Sequence, residues 1–112
     1  MPKSIDVIAA RVLDVVDESG CLVRQVLVNI GRPWQEPTGE WALPYQIVGI
    51  GKGKIFVVHG FDAIQALQGV QLVIGAILAS SEEGREGRLR WAGERNWGFP
   101  VPESQEGDQR SE

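Results

Sequence analysis

The sequence predicts an α+β domain in two layers: a four- or five-stranded antiparallel sheet, most simply a meander, with one long helix packed on one face. Residues 5–16 (IDVIAARVLDVV) and 21–32 (CLVRQVLVNIGR) are two long β-branched runs on either side of an Asp-Glu-Ser-Gly turn. Residues 47–60 (IVGIGKGKIFVVHG) alternate about a Gly-Lys-Gly turn, as paired strands do. Residues 61–80 (FDAIQALQGVQLVIGAILAS) then repeat apolar side chains at helical spacing.

The first two runs make a hairpin whose alternation is incomplete, so one face meets the helix and the other is left for the C-terminal segment or a partner. Residues 33–39 (PWQEPTG) are a loop by their two prolines and closing glycine. A third long strand resumes at Trp41. Pro44 has no ladder donor, so that strand should start after it, bulge at it or lie at an edge. Gly51-Lys52-Gly53 turns the chain into a fourth strand, residues 54–59.

The helix start is legible. Asp62 and Gln65 have capping-box spacing, and Phe61 can close a hydrophobic staple over the first turn. Ala63, Leu67, Val70, Ile74, Ile77 and Leu78 form the expected core stripe. Beyond Ser80 the chain is polar and Gly-punctuated, with Leu89-Arg90-Trp91 a short candidate edge strand. Residues 1–102 thus read as one domain, and residues 103–112 as a disordered acidic tail.

The 112 residues carry a net charge of −4, and four acids against Arg110 put −3 of it in the last ten. The rest is nearly neutral and its Lys and Arg are scattered, which argues against nucleic-acid binding. A single cysteine, Cys21, rules out an intramolecular disulfide and argues against a thiolate metal site. No apolar run follows a basic start, and Gln65, Gln68 and Gln71 interrupt the helix, so neither a signal peptide nor a membrane span is expected. The expectation is a cytoplasmic protein without cofactor or metal.

Four tryptophans stand outside the predicted core pattern. Arg32, Trp34, Trp41 and Tyr45, if they converge, make an aromatic-walled cleft with one cation, suited to a small molecule or peptide. Gly69 and Gly75 each cost about 1 kcal/mol inside a helix, so another backbone should approach there. Either the chain's own Trp-bearing C-terminus does so, or a second copy in a homodimer, through Ala66, Gly69, Val73, Ala76, Trp91 and Trp97. His59 precedes Asp62 by three residues and could work as an acid–base pair with it or with Glu40. Asp62 is already accounted for as a cap, however, and no nucleophile is placed beside His59, so no catalytic residue is assigned. The Gly51–Lys54 run is too short for a phosphate loop and opens no helix; it reads as a hairpin turn.

Gly31-Arg32-Pro33, residues 41–51, HGFDAIQALQGVQLVIGAIL, Leu89-Arg90-Trp91 and Trp97-Gly98-Phe99-Pro100 together resemble a family of small uncharacterised bacterial proteins. Some of these are carried on mobile integron gene cassettes. The resemblance spans residues 9–102, and its most specific part is the G-x-D-[AS]-x-Q-A-L helix start at residues 60–67. It implies a compact, oligomeric α+β protein and supplies no catalytic residue. The expected function is a non-enzymatic accessory binding or interaction protein. Alternatives are an immunity- or antitoxin-like protein that binds one partner protein, and a small enzyme using His59 and Asp62.

Overall fold

The computed structural model describes residues 4–102, so the acidic tail expected at 103–112 lies outside the described residues. β1 (Val7–Val16) and β2 (Leu22–Gly31) form the first hairpin. Asp17 holds its turn: one carboxylate oxygen accepts from the N–H of Ser19 and of Cys21 at 2.9 Å each, and from the Ser19 hydroxyl at 2.7 Å. These bonds favour the anion, and the one from the Ser19 side chain does most to hold the Asp17 pKa below its ordinary value. The loop expected at 33–39 contains a two-residue strand, β3 (Trp34–Gln35), before β4 (Trp41–Val48) and β5 (Ile55–Gly60).

β1, β2, β4 and β5 are neighbours in chain order, which is the meander. Leu89–Arg90 is an edge strand, β6, paired with β1 at Asp14 and Val15, and all pairings in the resulting six-stranded sheet are antiparallel. Pro44 lies inside β4, where three placements near a strand end, bulge or edge were open. β2 pairs with β4 only from Tyr45 onward and β3 only up to Ala42, so Pro44 falls at the break between them. The missing N–H sits where the ladder is interrupted on that side.

The helix α1 (Ala63–Ser80) begins as its sequence specifies. Asp62 Oδ1 accepts from the Gln65 N–H at 2.7 Å, and Gln65 Oε1 accepts in return from the N–H of Phe61, also at 2.7 Å. The staple is not closed: the Phe61 side chain is 86% exposed. Ala66, Val70, Ile74 and Leu78 are buried in one cluster with Leu13, Val15, Val26, Val28 and Leu43 of the sheet. The buried stripe is therefore rotated slightly from the expected one, with Ala66 inside it and Ala63, Leu67 and Ile77 half-buried at its margins. By length and composition alone α1 could cross a membrane. Its 18 residues rise only about 27 Å, and here its apolar face is used as core.

A short helix, α2 (Glu82–Arg85), leads into β6, and the last described residues return over the core. Trp97 is buried and its indole N–H donates to the Leu89 carbonyl at 2.8 Å, so one of the four tryptophans belongs to the core after all. The Arg11 guanidinium lies 3.8 Å from the centre of the Trp91 ring and donates to the Trp97 carbonyl at 3.0 Å. Gly75 is the point of closest approach: a Cβ there would overlap the Pro100 carbonyl oxygen. The chain's own C-terminal segment thus occupies the space that this glycine opens.

The sheet's other face is a different surface. Val12 pairs with Leu27 and Leu27 with Val48, so these three stand in one row, 48, 36 and 42% exposed. Beside them Asn29 and Gln46 form a polar pair, and Gln46 also donates to the Gly53 carbonyl at 2.8 Å.

Candidate functional site

The hairpin that joins β4 to β5 borders a half-open cavity of about 330 Å³ beside the helix, within the range of small-molecule sites. Tyr45 and Ile47 of β4, Phe56 of β5 and Ile77 of α1 form apolar walls, and Ile50, Lys52 and Lys54 come from the turn. Left-handed backbone at Gly51 and Gly53 (φ 69° and 70°) lets the chain reverse tightly enough to bring these groups together. Tyr45 and Phe56 are directly opposite in the ladder, with ring centroids 5.9 Å apart and tilted by 31°.

Tyr45 is the distinctive group. Its side chain is buried, and burial alone raises its pKa, with no hydrogen bond contributing. The phenol therefore stays a neutral O–H near pH 7, a donor without a partner among the described residues. Lys52 and Lys54 are exposed, make none of the ion pairs among the described residues, and meet no carboxylate in the cavity lining.

The aromatic cleft expected from Arg32, Trp34, Trp41 and Tyr45 does not assemble. Trp34 is opposite Ala42, one residue along from Trp41, so alternation sends the two indoles to opposite faces of the sheet. Trp41 and Tyr45 share a face but are four residues apart on one strand, about 13 Å. Arg32 is outside the group, its Nε donating to Asp6 at 2.8 Å with both side chains well exposed. Trp34 donates to Glu36 at 3.0 Å. Of the four, only Tyr45 lines the cavity. Sequence reading missed Ile50, Lys52, Lys54 and Ile77; the signal was the pair of lysines on a turn with no acid nearby.

The residues expected at a dimer face are also dispersed. Ala66 and Trp97 are buried in this chain's own core, out of reach of a second copy. Gly69 faces the Val58 side chain of β5, where a Cβ would stand 3.4 Å from Cγ1. Val73 and Trp91 pack against the core, and Ala76 is half-buried.

His59 is exposed on β5, opposite Ala42. The Asp62 carboxylate serves the helix cap, and among the described residues it makes no hydrogen bond or ion pair with His59. Glu40 is exposed beyond the β3–β4 turn. Among the described residues no three His, Cys, Asp or Glu side chains gather where they could hold a metal ion. A larger hollow, about 510 Å³, lies between α2 and the C-terminal segment, but its walls are mixed, and the Trp97 N–H within it is already given to Leu89.

No curated protein and no solved structure matches the chain. One family model does, over residues 9–101, which include every residue of the cavity lining. On that match the chain belongs to the family described as a domain of unknown function, DUF6968.

Proposed function

We propose that this protein is a non-enzymatic binding protein whose ligand is a small, largely apolar molecule held between the β4–β5 hairpin and α1. The apolar cavity of about 330 Å³ walled by Tyr45, Ile47, Phe56 and Ile77 carries the reading. Walls of isoleucine and phenylalanine favour an apolar body, and the Tyr45 hydroxyl is a donor for one ligand oxygen. The dispersal of His59, Asp62 and Glu40 supports binding over catalysis.

Self-association belongs to the same reading, but at a different surface from the helix. The exposed row Val12, Leu27 and Val48 lies on a sheet face beside uncharged Asn29 and Gln46. A second copy laid across it would bury apolar area that a monomer leaves wet. A cytoplasmic bacterial protein of the kind carried on integron cassettes remains the proposed setting, resting on the resemblance centred on residues 60–67.

The test is an NMR titration of the full chain with a panel of small apolar molecules. Binding should shift the amides of residues 47–56 and of Ile77. An Ile50→Trp variant, which fills the cavity, should lose the response while keeping a folded spectrum. Shifts elsewhere, or an unaltered response in that variant, would refute the assignment. An immunity-like protein predicts the opposite pattern: no response to the panel and tight one-to-one binding of a protein.

A further inference from the structure

We infer that the cavity's ligand is a carboxylic acid with an apolar tail or ring, its carboxylate at the mouth between Lys52 and Lys54 and its body against Ile47, Phe56 and Ile77. This rests on the binding reading above and specifies the ligand's chemistry.

The polar groups around the cavity are all of one kind. Lys52 and Lys54 are cations, Tyr45 is a hydrogen-bond donor, and the lining holds no carboxylate to neutralise them. Among the described residues, the ion pairs engage arginines and leave both lysines free. Lys54 immediately precedes β5 and lines the cavity together with Phe56 and Tyr45. Lys52 sits at the turn between the two left-handed glycines. A cationic ligand would meet two like charges there, and a neutral one would leave both unused.

The cations are flexible point charges, with no arginine in the lining. A phosphoryl group is better matched by the guanidinium fork or by a helix N-terminus, and neither borders the cavity. A carboxylate needs less: two ammonium groups at its flanks. Apolar walls exclude sugars and amino acids, whose further polar groups would be buried unpaired. What remains is a medium-chain fatty acid or an aryl-alkanoic acid.

Three probes of one length test this: octanoate, 1-octanol and octylamine, each titrated into the full chain and followed by amide shifts. Octanoate should bind about tenfold more tightly than octanol, as two partly exposed charge pairs allow. Octylamine should be the weakest. In a Lys52→Gln/Lys54→Gln variant, octanoate should fall to the octanol value while octanol is unchanged. Both lysines are exposed, so the fold should be retained. If it is not, the salt dependence of the unaltered chain decides: octanoate affinity should drop as ionic strength rises and octanol affinity should not. Octanol binding as well as octanoate would overturn the acid assignment and leave the apolar-ligand reading standing. If none of the three probes binds, both readings fall together.

Discussion

The two glycines inside α1 predict opposite responses to the same substitution. Each costs about 1 kcal/mol relative to alanine by helix propensity, so Gly→Ala should stabilise wherever the added methyl has room. At Gly69 it has: the new Cβ would stand 3.4 Å from Val58 Cγ1, an ordinary contact. Gly69→Ala should therefore gain about 0.5–1 kcal/mol. At Gly75 the methyl would overlap the Pro100 carbonyl oxygen, a backbone atom that no side-chain rotation can move aside. Overpacking of this kind costs about 1–3 kcal/mol, and the segment can escape only by lifting away. Lifting it strains the Trp97–Leu89 hydrogen bond, about 1 kcal/mol more. After the recovered propensity, Gly75→Ala should be about 1–3 kcal/mol less stable than the parent. Urea unfolding followed by far-UV circular dichroism measures both, with equal m-values as the check that two-state behaviour holds. A stabilised Gly75→Ala protein would refute the close approach and reopen that helix face to a second copy.

Other expectations test separate parts of the molecule. Trp97→Phe keeps most of the apolar bulk but strands the Leu89 carbonyl, and should lower stability by about 1–2 kcal/mol in the same urea assay. Leu27→Lys places a charge in the centre of the exposed sheet row; if that row joins two copies, light scattering should show a dimer for the parent and a monomer for the variant. Asp17 and Glu83 both titrate below their ordinary values, Asp17 chiefly through the Ser19 hydroxyl and Glu83 chiefly through its own backbone N–H, then Arg24. Lowered folded-state pKa values mean stability that is present above the unfolded values, 3.8 and 4.5, and lost as pH falls through the folded ones. Unfolding midpoints should thus drop on acidification below about pH 4.5, and more gently in Asp17→Asn; an unchanged acid limb in that variant would remove Asp17 from the account.

Much of the fold was legible because its signals are local. The capping box needs only Asp62 and Gln65 at the right spacing, and the first hairpin needs only two β-branched runs and an Asp-Glu-Ser-Gly turn. The long strands fall in chain order because short turns leave them little alternative. Where the reading slipped, a distant contact decided the matter. Pro44 is tolerated inside β4 because β2 and β3 happen to break opposite it, which depends on how the loop after Gly31 re-enters the sheet. Trp97 falls outside the predicted core pattern because the segment around it lacks period; its burial goes with the hydrogen bond to the Leu89 carbonyl and with the space over a helix glycine. Ala66 has the size expected at a helix interface, yet it is buried in this chain's own core.

The site was less legible than the fold for a physical reason. Aromatic residues near one another in sequence suggest a cleft, but on strands a shift of one residue reverses the face, and Trp34 and Trp41 are separated by such a shift. The cavity instead joins Tyr45, a turn of alternating glycine and lysine, and Ile77 from a helix that begins beyond β5. No spacing rule links a strand tyrosine to an isoleucine 32 positions later. Charge balance offered a narrower route. Two lysines lie on a four-residue Gly-Lys-Gly-Lys turn, with Asp62 the next acid along the chain. Dismissing that turn as a phosphate loop was sound, since it opens no helix. The acid proposed above would set its carboxylate beside those lysines and its apolar part in the cavity behind them.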